Sequence, residues 1–405
     1  MLSRTDALRR ELVRALPERP FAVSLWDGTS VPATTDGAPT FTIRSPRALA
    51  HVLRSPGELG LGRAYVSGLL EVDDVDEAIL VVTDWEPPPI PLAARARLGL
   101  ALVRATGLVA PPPVPKIEKR QRGPLHSLAR DRNAVAYHYN AGNEFFALFL
   151  DESMTYSCGV WNRGATTLEE AQTTKLELIA TKLGLKEGVR LLDVGCGWGS
   201  MAIHAAREHG ARVVGITLAV EQAQLARRRV ADAGLSDRIE IRIADYRELR
   251  DEQFDAICSI GMAEHVGANQ IDVYARQLHD LLRPGGVLLN HAIAQLVHRG
   301  DDNLAGPFSE RYVFPDGDPL HLSRIQLAME RADLGTVAVE GFFDDYAKTL
   351  TEWTARFDAR YDEAVRLVGA ERARVWRVYL RAARHGFETG FEAVYQVLCR
   401  RPPAT

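Results

Sequence analysis

The sequence contains no apolar run of about 18 residues, so nothing in it reads as a bilayer-spanning helix. The opening segment, MLSRTDALRRELVRAL, carries charges throughout and lacks the apolar centre of a secretory signal. Cysteine is scarce. The four present (Cys158, Cys196, Cys258 and Cys399) show no C-x-x-C spacing, which argues against a zinc ribbon or a redox pair. Thiols kept reduced in the cytoplasm are the expectation. A positive excess is also missing: 49 Lys and Arg against 53 Asp and Glu give a net charge of −4. That balance argues against a dedicated nucleic-acid binder. What remains, 46% hydrophobic and 25% charged residues over 405 positions, suits a globular chain of two domains.

Residues 1–110 read as a small α+β domain. Leu8, Leu12, Val13 and Leu16 recur at helical spacing, and FAVSLW (Phe21–Trp26) and PTFTI (Pro39–Ile43) read as short strands. Gly57–Leu69 reads as helix or turn. After EPPPIP, the segment Leu92–Val109 is a strongly apolar helix carrying Arg95, Arg97 and Arg104. It either packs on its own domain or lies in a membrane interface with the arginines reaching out to the headgroups. PPPVP (Pro111–Pro115) opens a linker over 111–132, stiff and extended. Its continuation, Lys116–Arg132, holds six Lys and Arg against two acids. This is either a solvated face or a patch for anionic headgroups.

The second domain, 133–405, is organised around VRLLDVGCGWG (Val189–Gly199). A short apolar strand runs into Asp193, then glycines spaced G-x-G-x-G, then a helix from Ser200. Glycines there let the backbone turn sharply and approach a ligand, and the helix start offers free N–H groups. A second strand ends near Thr217. The spacing differs from the dinucleotide G-x-G-x-x-G fingerprint. It resembles the first motif of class I S-adenosylmethionine (SAM) methyltransferases; a tight βα turn with another ligand, or none, is the alternative. Strands at Val213–Thr217, Ile239–Ala244, Phe254–Ile260 and Gly286–Ala294 alternate with helices, Pro284–Gly286 forming a turn. The fold class expected is α/β, a mostly parallel seven-stranded sheet of the class I methyltransferase, Rossmann-like kind. Thr336–Phe342 and Ala393–Arg400 would supply a last antiparallel pair.

Ligands in such sheets sit beyond the strands' carboxyl ends. Those ends carry Asp193 with Gly195 and Gly197, Thr217 with nearby Gln222, Asp245–Tyr246, Glu264–His265 and His291. Gln222 is placed to take ribose hydroxyls, and Asp245 to accept from an adenine amino group with Tyr246 against the ring. A plain turn cap is the alternative for Asp245. Cys158 and His291 taken singly read as buried structural residues. A carboxylate such as Glu264 is seldom buried without purpose.

YSCGVW, DVGCGWG, GITLAVEQ, DYRE, SIGMAEHVG and LNHAIA, in this order and spacing, resemble the cyclopropane-fatty-acyl-phospholipid synthase family. LGLGRAYVSG resembles the N-terminal domain of its phospholipid-acting members. The resemblance implies methylene transfer from SAM to a cis double bond in a phospholipid acyl chain, through a carbocation shielded from water. It implies a bicarbonate base held by Cys158, Glu264, His291, the Ile293 backbone and Tyr346. For SAM it points to Tyr156, Ser157, Gly195, Gly197, Thr217, Gln222, Asp245 and Tyr246. It also implies a homodimer at the inner membrane surface. The chain departs from the family pattern at Asn140–Ala141, Ala292 and Ala263, the last often Phe. These departures touch the fate of the cation, so a methylene-branched product, served by a partner reductase, stands beside the ring. A small-molecule methyltransferase and a non-catalytic lipid-binding protein are the other classes.

Overall fold

A computed structural model describes residues 4–107, 112–139, 141–250, 252–296 and 307–404. Residues 108–111, and with them the expected end of the apolar helix at Val109, lie outside the described residues, as does Asn140. The chain divides into two units. The first comprises Met1–Lys119, Gly306–Tyr312 and Val368–His385; the second comprises Arg120–Ala305, Val313–Leu367 and Gly386–Thr405. The boundary therefore falls inside the expected linker, and two later segments join the first unit rather than the second.

The first unit holds four strands: β1 (Ala22–Ser24), β2 (Ser30–Val31), β3 (Thr40–Ile43) and β4 (Leu70–Val72). They lie in the order β2-β1-β3-β4, with β1 parallel to β3 and the other pairs antiparallel. Leu8, Val23, Ile43, Ala64 and Leu70 fill the core, joined by Ala101 and Ala105 from the helix Leu92–Thr106. Ala101 and Ala105 are that helix's buried residues, and Leu98 and Leu102 pack half-buried against the same core. Leu92, Leu100 and Val103 stay exposed at 82%, 52% and 47%. Within this unit Arg374 pairs with Glu71 at 2.6 Å and Arg381 with Asp76 at 2.9 Å, tying Val368–His385 into place.

The second unit is built on seven strands: β5 (Arg190–Val194), β6 (Arg212–Thr217), β7 (Ile239–Ile243), β8 (Phe254–Ile260), β9 (Leu282–Gln295), β10 (Gly335–Phe342) and β11 (Glu392–Arg400). Their order is β10-β11-β9-β8-β5-β6-β7. β9 through β7 are parallel; β11 runs antiparallel to both β9 and β10. Period-two alternation sends Leu191, Val213, Ile239 and Cys258 to one face and Leu192, Val214, Ile257 and Leu288 to the other. Helices cover both faces, as the alternation of elements requires. The helix Leu168–Leu183 starts with a Thr167–Glu170 capping box and stops at left-handed Gly184. β9 begins earlier than Gly286: Leu282 already pairs with Phe254, and the expected turn survives as an irregularity before Val287 pairs with Ala256. Among the described residues no helix is long and apolar enough to cross a membrane.

Candidate active site

The carboxyl ends of β5, β6 and β8, with the turn after β7, open into one cavity. All nine residues that sequence assigned to SAM line it: Tyr156, Ser157, Asp193, Gly195, Gly197, Thr217, Gln222, Asp245 and Tyr246. Gly195 has φ +79°, and a Cβ there would stand 2.7 Å from Met262 Cγ, so a side chain is doubly excluded. The Gly195 and Cys196 N–H groups both donate to the Ile216 carbonyl at 2.9 Å, locking the turn to the end of β6. Thr217 Oγ1 donates to Gln222 Oε1 at 3.1 Å, so strand end and helix start are set as a pair.

Asp245 differs from its simplest reading. Its Oδ1 takes the backbone N–H of Arg247 at 2.9 Å and its Nε at 2.8 Å, and Oδ2 takes an Arg247 amine at 2.7 Å. It caps the turn Tyr246–Glu248, the alternative that sequence left open, while still facing the cavity. Arg247 also reaches Asp131 at 2.7 Å, which fastens this wall to the helix Leu128–Tyr139.

Lys175 is the residue that sequence reasoning missed here. Fully buried on the helix Leu168–Leu183, it lines the cavity and donates from Nζ to Ser157 Oγ at 2.7 Å. Burial lowers its pKa to about 8, opposed by the nearby carboxylates of Asp151 and Asp193. Burial raises Asp193 to about 7, opposed by the Cys258 hydrogen bond and by Lys175; Asp193 Oδ2 is buried with no hydrogen-bond partner. A signal existed: Leu168, Ala171, Gln172, Lys175, Leu176 and Ile179 form one buried helical stripe, and a lysine inside it is out of place.

The second set of expected residues lies next to this cavity, not in its lining. Glu264, on the short helix after β8, is flanked by the cavity residues Met262 and His265. Its Oε1 accepts the Ile293 N–H at 2.7 Å, while Oε2 is buried with no partner. Burial pushes this carboxyl up to about 7 against the Ile293 bond. His291 lies two residues before Ile293 on β9 and is 2% exposed; burial, with Lys175 and Lys182, holds it well below its usual range. Lys182 Nζ donates to Gln396 Oε1 at 2.5 Å, which leaves the Gln396 amide to donate to His291 Nδ1 at 3.2 Å. The proton of neutral His291 then sits on Nε2.

Cys158 is 1% exposed, donates to the Gly159 carbonyl and is pushed far up by burial, so it remains a thiol. The chain beside it is clamped to the helix Phe343–Ala359: Gly159 N–H and the Trp161 indole both donate to Thr349 Oγ1 at 3.0 Å. That helix carries Tyr346, whose ring meets Trp353 at 5.8 Å and Phe387 at 4.6 Å. Trp353 also stacks on Tyr156 at 5.2 Å, an aromatic bridge from one set to the other. Sequence reasoning missed Glu392, at the start of β11. Burial and the nearby Glu264 charge raise it to about 7.

Residues 126–397 match the family model of mycolic acid cyclopropane synthetase. The chain is 38% identical to a probable fatty acid methyltransferase, Rv3720, of Mycobacterium tuberculosis, over 96% of this chain and 93% of that one. It is 33% identical to tuberculostearic acid methyltransferase of the same organism, covering 97% and 91%. To cyclopropane-fatty-acyl-phospholipid synthase of Escherichia coli it is 32% identical, covering 89% and 87%. The solved structure of mycolic acid cyclopropane synthase CmaA1 with SAH and CTAB superposes with a TM-score of 0.63 at 32% identity, covering 67% of this chain and 98% of that one. With the glycine turn, the strand-end cavity and these likenesses together, the chain belongs to the mycolic acid cyclopropane synthetase family and is a SAM-dependent methyltransferase of the cyclopropane fatty acid synthase kind.

Proposed function

We propose that this enzyme transfers the methyl carbon of SAM to the cis double bond of an unsaturated acyl chain in a membrane phospholipid, ending in a cyclopropane. The observation that carries the reading is Glu264: a buried carboxylate beside the cofactor cavity, one oxygen held by Ile293 N–H and the other bare. SAM, when bound, supplies an electrophilic methyl group. The chain's part is to hold the alkene in line with it, exclude water and oppose the positive charge that develops on the acyl chain. The buried rings of Tyr346, Trp353 and Phe387 suit an apolar chain and offer π faces to that charge.

Cys158, Glu264, His291, Ile293 and Tyr346 fit a bicarbonate ion, which would supply a base for the proton lost on ring closure. The fit rests on the bare Glu264 Oε2: a carboxyl raised to about 7 can keep a proton there and donate it to an anion. His291, protonated at Nε2, adds a donor.

A methylene-branched product is the second reading, favoured by Ala263. This residue, 2% exposed in the core beside Glu264, leaves no aromatic face where the resembled family pattern often has Phe. A partner reductase would then complete a methyl branch. Delivery of lipid falls to the first unit, with the exposed leucine and valine of the helix Leu92–Thr106 and its arginines meeting the inner membrane surface. A homodimer is part of this reading.

The test is incubation of the purified protein with SAM and dioleoyl phospholipid vesicles, then mass and proton NMR analysis of the released chains. A gain of one CH2 with high-field ring protons supports the cyclopropane. The same gain with terminal-alkene protons supports the branch. No gain with SAM bound overturns both.

A further inference from the structure

Away from the cavity, two helices of the second unit bring three metal-ligating side chains to one point. Glu177 lies on the helix Leu168–Leu183; His204 and His209 lie on the helix Ser200–His209. His204 Nε2 stands 3.1 Å and His209 Nε2 3.0 Å from the same atom, Glu177 Oε2. The three ligand atoms lie within 4.8 Å of one another, the one such trio of His, Cys, Asp or Glu among the described residues. Thr181 Oγ1 donates to the other carboxylate oxygen at 3.2 Å and fixes its orientation.

We propose that Glu177, His204 and His209 bind one divalent transition-metal ion of the zinc class. Two imidazoles and a carboxylate are a donor set that zinc takes with water in the fourth position. The geometry is close to what an ion would impose. Ligands about 2.1 Å from a tetrahedral centre stand about 3.4 Å apart, and the two N···O edges here are 3.0 and 3.1 Å. The two imidazole nitrogens lie within 4.8 Å of each other, so side-chain adjustments of a few tenths of an ångström to about 1 Å complete the set. The side chains of His204 and His209 are 12% and 19% exposed and that of Glu177 is 50% exposed, so the site is reachable from solvent yet anchored on helices. Imidazole donors favour zinc, nickel and copper; magnesium and calcium prefer all-oxygen sites. Thr181 plays the supporting part that outer partners play for ligating carboxylates.

The site is tied to the cofactor cavity through its helices. Leu176 precedes Glu177, and Ser200 and Met201 open the helix of the two histidines; all three line the cavity. An ion at this point cross-links the two helices and, by binding the folded chain, raises its melting temperature.

The test uses tag-free, full-length protein stripped with a chelator. Zinc titrated by calorimetry is expected to bind at one equivalent, and cobalt is expected to give the visible bands of a tetrahedral site, bleached by zinc. Magnesium at the same concentration is expected to give no heat. The H204Q/H209Q double variant should weaken zinc binding by at least about 100-fold and abolish the zinc-induced rise in melting temperature; E177Q should weaken it by about 10-fold or more. Because these side chains are partly exposed, circular dichroism and SAM binding should match wild type. No stoichiometric zinc binding by the parent chain overturns the proposal. So does zinc affinity unchanged in the folded double variant.

Discussion

Glu264 is held by one oxygen: the Ile293 N–H donates to Oε1 at 2.7 Å, and Oε2 is buried with no partner. A strand backbone thus fixes the carboxyl group's direction and leaves its second oxygen for something else. In a family that acts on hydrocarbon, such a group is suited to manage charge and protons where water is absent.

Replacing Glu264 by Gln keeps the shape and the Ile293 bond. Turnover on oleoyl vesicles should fall by at least about 100-fold, the scale of a lost acid–base group, while SAM affinity stays within about 3-fold. Product mass spectrometry and SAM calorimetry on the same preparation check both halves. Near-normal yield would remove Glu264 from the reaction.

The buried acids carry a pH signature. Glu264, Glu392 and Asp193 all titrate near 7 in the fold, above their usual carboxylate range. The folded state therefore binds more protons than the unfolded state between the usual carboxylate pKa and about 7. Their contribution to stability is full at the acid side of that window and is lost as pH rises through it. Buried His265 and His291, both lowered, act oppositely below their usual pKa. Melting temperature should thus decline from pH 6.5 to 7.5, and E392Q should flatten that decline. A slope identical in E392Q and wild type would contradict the assignment.

Lys175→Met removes a buried cation from Ser157 Oγ and from the neighbourhood of Asp193. A hydrogen bond to a charged group contributes about 1.5–3 kcal/mol, so SAM affinity should drop by about 10- to 100-fold. Calorimetry with SAM measures it, and unchanged affinity would make Lys175 a bystander.

Gly195→Ala meets two obstacles. The left-handed backbone costs about 1–2 kcal/mol with a side chain. The new Cβ would also collide with Met262 Cγ at 2.7 Å. Loss of SAM binding by at least about 10-fold is expected, read by the same titration.

On the helix Leu92–Thr106, L100E/V103E would place two charges on an exposed apolar face. Sedimentation with anionic vesicles should fall by about 10-fold or more while SAM affinity is retained. Equal sedimentation of parent and variant would leave this helix as ordinary surface.

Much of the second unit was legible because its signals are local. Period-two apolar runs, the glycine turn and polar strand ends can each be read within a few residues, and the nine expected SAM residues do meet at one cavity. Asp245 shows the limit of that reading. A capping box is also local, and it engages the carboxylate with Arg247 and its own turn. Lys175 was visible as an anomaly in an apolar stripe. Glu392 was not visible: its significance comes from Glu264, which only the folded sheet brings near. The joining of Val368–His385 to the first unit was equally hidden, since it rests on pairs such as Arg374–Glu71 between distant segments.

The sheet order has a consequence for synthesis. β11, the last of the described strands in chain order, lies between β10 and β9 rather than at an edge. Until residues 392–400 leave the ribosome, β9 and β10 lack their shared neighbour, and Gln396 cannot orient His291. A chain that has made β9 and β10 but not yet residues 392–400 therefore carries an open apolar seam, and closing the sheet is a late, long-range pairing.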